Sequence, residues 1–113
     1  MQKAKVAYQR FGIYIADMDP TKGHEISKTR PVIIVSPDEF NDRLATVIIA
    51  PLTTKIRDHY PFRPQFDLQG TLNQIALDQI RCVDKTRLIK LIGTLPSKTM
   101  QETIEILQAM FSF

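Results

Sequence analysis

The sequence contains PVIIVS at Pro31–Ser36 and ATVIIAP at Ala45–Pro51, and these two runs give the strongest indication of its fold. Both are continuous stretches of apolar, mostly β-branched residues, which is typical of central strands that are buried on both faces. The polar stretch PDEFNDR joins them. We therefore predict two antiparallel neighbouring strands at the centre of a β-sheet.

Shorter segments extend this sheet on either side of the central runs. They have the alternation or the β-branched content of strands: GIYIADM at 12–18, RPQFDL at 63–68, NQIALDQIRCVD at 73–84 and RLIKLIGTL at 87–95. RPQFDL is expected at an edge of the sheet because Pro64 has no N–H to donate to a neighbouring strand, and Gly70 after it predicts a turn. The alternation of the third segment slips near Asp78 and Gln79, which predicts a β-bulge.

The C-terminal segment has a helical pattern. Thr99 and Glu102 have the T-x-x-E spacing of a capping box, which predicts that a helix begins near Thr99. Apolar residues then recur at helical spacing in two stripes, Met100, Ile104, Leu107 and Phe111 in the first and Ile106, Met110 and Phe113 in the second. The second stripe widens the apolar face, so the helix is either fully packed on its own sheet or partly buried by a second subunit.

The order of these elements predicts one mainly β domain over residues 1–113, a small, strongly bent antiparallel sheet or barrel with a C-terminal α-helix. At 113 residues the chain is large enough for a core without disulfides or metals. Cys82 is the only cysteine, and no Cys and His residues have the spacing of a zinc site. No apolar run approaches the roughly 20 residues of a membrane span. We therefore expect a cytoplasmic protein with no metal, no cofactor and no membrane association.

Basic residues concentrate in two segments that have the composition of loops. The first is DPTKGHEISKTRP at 19–31, in which Pro20 and Pro31 restrict both ends and Gly23 permits a turn. The second is APLTTKIRDHYPF at 50–62. The cations in or beside these two segments are Lys22, Lys28, Arg30, Lys55, Arg57 and Arg63. If the loops meet, they form a basic groove that suits a polyanion, as does the net charge of +3.

The first loop carries the residue types that RNA cleavage by the 2′-hydroxyl requires. Such a reaction needs a base for the hydroxyl proton, a proton donor for the leaving 5′-oxygen and fixed positive charge at the phosphate. Glu25 or His24 can act as the base, and Arg30 can hold two phosphate oxygens with its planar guanidinium. Thr53 and Thr54 end a core run, where their hydroxyls either donate to phosphate or cap a turn.

The second loop places aromatic rings beside basic residues, a combination that holds unpaired bases. His59, Tyr60 and Phe62 are the candidate stacking residues, although HYPF by itself is more often a core and turn element. The predicted RNA-binding residues are Lys22, Lys28, Thr54, Lys55, Arg57, His59, Tyr60, Phe62 and Asp78.

Asp78 is an acid inside the otherwise apolar segment that contains LDQIR. Such a residue faces solvent, accepts backbone hydrogen bonds or supports a site, and a structural role is favoured. Arg81 and Arg87 are expected to pair with Asp78 and Asp84, which contributes little if the pairs are exposed.

Three blocks of the sequence resemble the MazF/PemK toxins of bacterial toxin–antitoxin systems: DPTKGHEISKTRPVIIVSPDEFN, APLTTKIRDHYPF, and LDQIRCVDKTRL with GTL after it. The likeness extends from about Gly12 to the C-terminal helix. It implies a homodimeric SH3-like β-barrel with a C-terminal helix that acts as a metal-independent, sequence-specific endoribonuclease on single-stranded RNA, mostly mRNA. It also implies a cognate antitoxin whose acidic, initially flexible tail occupies the RNA groove.

The resemblance implies which residues form the catalytic site. The Glu and Arg of the family's G-x-E…R-P motif fall on Glu25 and Arg30, and the Thr of P-x-T-[TS] falls on Thr53. His24 matches the GHE variant of the PemK branch, where a His joins the site. We predict a site of Glu25, Arg30 and Thr53, with His24 auxiliary.

Two features depart from the family pattern. Asp78 matches an acid of the PemK branch, but Ala76 replaces the arginine found there two residues before it. The first strand begins with RFGIY, which has neither the acid of the family's R-G-[DE] turn nor the tryptophan that follows it. Because Ala76 stands where the PemK branch has an arginine, we do not transfer the complete acid and base scheme of PemK to this chain.

Two other functions are compatible with the same barrel. One is a binding toxin such as the CcdB-like gyrase poisons, in which the first loop has no catalytic role. The other is an SH3-like nucleic-acid-binding module, which would bind RNA in a salt-dependent manner without cutting it. The combination of Glu25, Arg30 and Thr53 favours the nuclease.

Overall fold

The computed structural model describes residues 7–18 and 29–113, which form a seven-stranded antiparallel sheet and two α-helices. The strands are β1 (Gly12–Asp17), β2 (Thr29–Ile34), β3 (Thr46–Thr53), β4 (Gln65–Leu68), β5 (Thr71–Ile75), β6 (Arg81–Asp84) and β7 (Leu88–Thr94). The helices are α1 (Asp38–Arg43) and α2 (Ser97–Met110). The mainly β fold with a C-terminal helix is therefore confirmed.

Strands β2 and β3 confirm the two predicted central strands. They pair antiparallel, with Val32 opposite Pro51 and Ile34 opposite Ile49. Val32, Ile33 and Ile34 are fully buried. Ile33 belongs to one apolar cluster and its two neighbours to another, because successive side chains of a strand point to opposite faces. This explains why the run is continuously apolar.

The polar stretch between these strands forms α1, a helix that the sequence pattern did not predict. Asp38 and Glu39 lie in its first turn, where negative charge is favourable. Asn41 is fully buried, and its Nδ2 donates to the carbonyl oxygens of Ser36 and Tyr8, both at 3.0 Å. The helix is thus held to the sheet by a polar residue, so apolar periodicity does not reveal it.

Strand β3 is shared between two parts of the sheet. The strand order is β4-β5-β3-β2-β1-β7, and β6 pairs with β3 outside this path. The first half of β3 pairs with β6, where Val47 lies opposite Val83, and its end pairs with β5, where Thr53 lies opposite Gln74. The sheet consequently curls into a half-barrel, as the bent-sheet prediction requires.

The β-bulge predicted near Asp78 was wrong. That segment divides into β5 and β6, and a 3₁₀ turn at Leu77–Gln79 separates them. β5 and β6 pair with different parts of β3, so the chain must leave one strand pairing and enter another. A 3₁₀ turn makes this change of direction, whereas the single extra residue of a β-bulge would keep the chain in one strand.

The β4–β5 hairpin confirms the predicted edge strand and turn. β4 lies at one end of the strand order. Gln69 and Gly70 both have positive φ, at 53° and 88°, as a two-residue hairpin turn demands. The Gly70 amide donates to the Asp67 carboxylate at 2.8 Å, which fixes the turn.

Helix α2 begins at Ser97, two residues before the predicted start. Pro96 precedes it at the cap position and makes no side-chain cap hydrogen bond, while Thr99 is buried in the first turn. The capping box at Thr99 and Glu102 was therefore wrong, since a residue inside the helix cannot cap it.

The apolar face of α2 covers one side of the sheet. Met100, Ile104, Ile106, Leu107 and Met110 pack against the cluster of buried residues that includes Ile33. The last residue of each predicted stripe does not pack against the sheet. Phe111 is 73% exposed, and Phe113 is also exposed. The helix is packed on its own sheet for most of its length, and its C-terminal end is uncovered in a single chain.

Candidate functional site

Arg30 and Thr53 lie together at the ends of the two central strands. β2 and β3 pair from Ile34 opposite Ile49 to Val32 opposite Pro51. Beyond that last pair, towards the same end of the two strands, lie Arg30 and Thr53. Both residues line a pocket of about 230 Å³, hereafter the strand-end pocket, whose lining is Thr29, Arg30, Pro31, Leu52, Thr53, Thr54 and Asn73.

The Thr53 hydroxyl is oriented by its own turn. Its Oγ1 accepts a hydrogen bond from the Lys55 amide at 3.1 Å. A hydroxyl has one proton to donate besides its acceptor lone pairs, so the O–H of Thr53 remains able to donate to a ligand in the pocket. The two interpretations of this threonine, turn cap and phosphate donor, are therefore compatible. Thr54 and Lys55 follow it and are exposed.

Gln74 attaches the second loop to the strands of the pocket, and sequence analysis did not identify it. It lies opposite Thr53 and is 1% exposed. Its Oε1 accepts from the Arg57 amide at 3.1 Å, and its Nε2 donates to the Arg57 carbonyl at 3.2 Å. A glutamine that satisfies both backbone groups of one residue fixes the loop at that residue. The only sequence signal was two polar residues, Asn73 and Gln74, directly before an apolar stretch.

Asp78 pairs with Arg63 and not with Arg81 as predicted. Arg63 Nε lies 2.9 Å from Asp78 Oδ1, and Nη2 lies 3.1 Å from Oδ2, a bidentate pair. The Arg63 side chain is 5% exposed and that of Asp78 is 34% exposed. The hydrogen bonds from Arg63 lower the pKa of Asp78, and the same bonds raise the pKa of Arg63. Asp78 thus forms an ion pair as predicted, but with Arg63 as its partner.

The other predicted ion pair, between Arg87 and Asp84, was also wrong. Arg87 Nη1 donates to the carbonyl oxygen of Asp17 at 3.1 Å. Asp84 Oδ1 accepts from the amide and the hydroxyl of Thr86, at 2.9 and 2.8 Å, and these bonds lower its pKa. Asp84 thus caps a turn, which is a frequent use of an aspartate that precedes one.

The Arg63–Asp78 pair predicts an acid-dependent part of the stability. The folded-state pKa of Asp78 is lowered, so its contribution is present above the unfolded pKa of about 3.9 and is lost as the pH falls below it. We expect Asp78→Asn to reduce the free energy of unfolding by about 1 kcal/mol at pH 7, because the carboxylate is partly exposed. Urea unfolding between pH 7 and pH 3 should show this difference shrinking below about pH 4.

Asp58→Asn removes an exposed carboxylate from the second loop and controls for the change in net charge. A difference between Asp78→Asn and the unmodified chain that stays constant down to pH 3 would contradict the role of the ion pair.

Aromatic residues of the second loop gather beside this ion pair. Tyr60 is 37% and Phe62 38% exposed. The guanidinium of Arg63 lies 4.5 Å from the Tyr60 ring centroid, and His59 packs edge-on against the same ring at 4.7 Å. Tyr60, Pro61, Phe62 and Asp78 line a second pocket of about 200 Å³, hereafter the loop pocket. The residues of HYPF are thus on the surface and not in the core.

The structure brings together part of the predicted site. Arg30 and Thr53 share the strand-end pocket with Thr54, and Tyr60, Phe62 and Asp78 share the loop pocket. Lys22, His24, Glu25 and Lys28 lie outside the described residues. In residues 7–18 and 29–113 no group of three His, Cys, Asp or Glu side chains is arranged to hold a metal ion. No helix in that part of the chain is long and apolar enough to cross a membrane.

Comparisons with known proteins agree with this fold. Residues 9–111 match the family described as the PemK-like, MazF-like toxin of type II toxin–antitoxin systems. The chain is 34% identical over 99 residues to the protein named Endoribonuclease MazF from Staphylococcus saprophyticus, which covers 83% of this chain and 82% of that protein.

Solved structures share the architecture at lower identity. MazF from Deinococcus radiodurans superposes with a TM-score of 0.74 at 20% identity, over 93% of this chain and 96% of that one. A chain of the MazE–MazF crystal structure from the same organism gives a TM-score of 0.77 at 22% identity, over 95% and 96%. These likenesses concern the fold. Since the family match spans nearly all of the sequence and the staphylococcal relative covers most of it, the chain belongs to the family of PemK-like, MazF-like toxins of type II toxin–antitoxin systems.

Proposed function

We propose that this chain is an endoribonuclease toxin that cuts single-stranded RNA by attack of a 2′-hydroxyl on the adjacent phosphate. The observation that carries the proposal is the pocket shared by Arg30 and Thr53, a guanidinium and a hydroxyl delivered from neighbouring strand ends. The relative named Endoribonuclease MazF, at 34% identity, supports the same activity.

In the proposed reaction, Arg30 and Thr53 act on the phosphate. The 2′-oxygen forms a bond to phosphorus as the bond from phosphorus to the 5′-oxygen breaks, and negative charge grows on the non-bridging oxygens. The fork of Arg30 can bind two of these oxygens, and the Thr53 O–H can donate to one of them. Because both residues stand at strand ends and not at a loop tip, the sheet positions their backbone before the substrate binds.

Proton transfer is assigned to the first loop. A base there takes the 2′-hydroxyl proton, and an acid gives a proton to the leaving 5′-oxygen. Glu25 is proposed as the base and His24 as the auxiliary residue, and either order of these two roles is compatible with their chemistry. In the sequence both residues precede Thr29, where β2 begins, and Arg30 follows it.

The proposed reaction is tested by its products. The purified protein is incubated with a random-sequence RNA pool in EDTA, and both new ends are identified. We expect 2′,3′-cyclic phosphate and 5′-hydroxyl ends, since charge neutralisation is assigned to Arg30 and not to a divalent metal. Cutting that persists in chimeric oligonucleotides lacking the 2′-oxygen before the broken bond would refute the mechanism. Intact RNA with salt-dependent binding would indicate a non-catalytic module, and intact RNA with arrested DNA replication a CcdB-like poison.

A cognate antitoxin is the proposed protein partner. MazE–MazF from D. radiodurans and an endoribonuclease with its cognate antitoxin from a mycobacterial species are solved complexes with this fold. Arg30, Lys55 and Arg57 lie in the part of this chain where an acidic segment would compete with RNA. Addition of the antitoxin is expected to stop RNA cutting, and undiminished cutting by the complex would contradict this.

A homodimer is also proposed, in the cytoplasm where RNA is available. Ile89 and Leu91 are 60% and 53% exposed on β7, which lies at one end of the strand order, and Phe111 is exposed at the end of α2. A second copy would remove these side chains from water. Sedimentation equilibrium should give twice the mass of 13.0 kDa, and a monomer at micromolar concentration would count against the dimer.

A further inference from the structure

We propose that the loop pocket holds one unstacked nucleobase of the RNA and that Asp78 selects a base with an exocyclic amino group. The proposal rests on the proposed RNA-cleaving function and adds to it a site for base recognition. It is separate from the strand-end pocket, in which Arg30 and Thr53 act on the phosphate.

The walls of the loop pocket suit a planar ring. Tyr60, Pro61 and Phe62 supply apolar surface. The two aromatic residues are more than a third exposed, so their rings are available to a ligand. Arg63 lies over the Tyr60 ring, and His59 supports it edge-on, so the ring is already held in place. Preformed aromatic surface beside cations is how proteins hold single-stranded bases.

The Asp78 carboxylate gives this apolar pocket a polar edge. Both of its oxygens accept hydrogen bonds from Arg63, which keeps the group ionised and fixes its plane. An ionised carboxylate has about four lone-pair sites, so that of Asp78 can accept one more hydrogen bond, and it has no proton to donate. Adenine, cytosine and guanine carry an exocyclic amino group that can donate to it, whereas uracil does not. Uracil offers only its N3–H, which lies between two carbonyl oxygens that an ionised carboxylate repels, so the pocket disfavours uracil.

The positive charge around the pocket favours RNA over an apolar protein segment. The guanidinium of Arg57 lies 5.7 Å from the Tyr60 ring centroid, on the same ring that Arg63 contacts. A base entering here brings its phosphates close to these cations. An apolar side chain of a partner protein would fill the walls but would offer the Asp78 carboxylate no donor beyond those of Arg63.

Gln74 connects the loop pocket with the strand-end pocket. It binds both backbone groups of Arg57 in the loop and lies opposite Thr53 in the sheet. The two pockets are thus parts of one rigid frame, and a base held in the first places the backbone at a fixed distance from the second. We expect the preference to appear at a single position relative to the cut.

The test compares cleavage of a random-sequence RNA pool by the unmodified chain and by Asp78→Asn and Phe62→Ala. For the unmodified chain we expect one position, counted from the cut, at which uracil is depleted. Asp78→Asn should relax the preference at that position alone. Phe62→Ala should lower kcat/KM by about 5- to 150-fold, the usual range for one stacked base. An RNA with an abasic nucleotide at that position should be cut equally by Phe62→Ala and by the unmodified chain.

Leu44→Ala, which truncates an exposed apolar residue after α1, is the matched control. Cutting with unchanged base preferences in both pocket variants would overturn the loop pocket and leave the nuclease proposal standing. If variants lose only antitoxin affinity, the pocket binds protein and the proposal is overturned as well. If the unmodified chain does not cut, the nuclease proposal fails. Filter binding of the same RNA pool to the unmodified chain and to Asp78→Asn then tests the pocket: uracil should be depleted from the RNA bound by the unmodified chain alone, and equal uracil content in both would overturn the pocket.

Discussion

Arg30→Ala is expected to slow RNA cutting by about 100- to 1000-fold, the effect of removing one preorganised donor at a developing oxyanion. Arg30 is exposed at the start of β2 and lines the strand-end pocket, so its loss removes charge from the phosphate without opening the core. Single-turnover cutting of RNA by the variant measures the loss, and urea unfolding should show stability within about 0.5 kcal/mol of the unmodified chain.

Arg30→Lys separates charge from geometry. Lysine keeps the positive charge but lacks the planar fork, so we expect only partial recovery of the rate. Full recovery would mean that Arg30 acts as a point charge and not as a bidentate ligand. An Arg30→Ala protein that cuts at the unmodified rate would remove the residue on which the proposed mechanism depends.

Gln74→Leu is expected to lower both the free energy of unfolding and the rate of RNA cutting, because Gln74 holds the second loop to the sheet. Leucine has nearly the same volume but leaves the amide and the carbonyl of Arg57 without their partners. Two lost hydrogen bonds at a residue that is 1% exposed should cost about 2 kcal/mol of the free energy of unfolding. The loop carrying Tyr60 and Phe62 would then be free to move relative to Thr53, and kcat/KM should fall by about 10- to 100-fold.

Hydrogen exchange gives a local measurement of this prediction. The Arg57 amide donates to Gln74 Oε1, so its exchange should accelerate in the variant while amides of β2 and β3 keep their protection. Gln65→Leu is the control, because Gln65 lies opposite Gln74 on β4 but is exposed. Unchanged exchange at Arg57 in Gln74→Leu would show that the loop is held by other contacts.

Much of the fold followed from local pattern. The β-branched runs predicted β2 and β3, and the weaker alternation predicted β1, β4 and β7, because side-chain periodicity records which faces of a strand are buried. The start of α2 was missed since Pro96 begins the helix without a capping side chain, and α1 was missed since its buried contact is Asn41. In both cases the residue found differs from the type that the pattern assumes: a proline stands where a capping side chain is expected, and a buried asparagine where an apolar contact is expected.

The residues of the strand-end pocket were predicted better than the contacts around the loop pocket. Arg30 and Thr53 were predicted from their chemistry and from the motif resemblance, and both line the strand-end pocket. The partner of Asp78 was predicted as Arg81, three residues away, but the bidentate contact is to Arg63, fifteen residues away. Nothing in the local sequence of either residue distinguishes these two arginines.

Local sequence was enough for the central strands, the terminal helix and the residue types available for phosphate chemistry, because these depend on composition and on spacings of a few residues. The hydrogen bonds of Gln74 to Arg57, seventeen residues away, and the contact of Arg63 with Asp78 beside Tyr60 and Phe62 became visible in the folded chain alone. Such contacts depend on how β3 divides its pairing between β5 and β6. Contacts of this kind arise when the sheet curls, and no local periodicity encodes them.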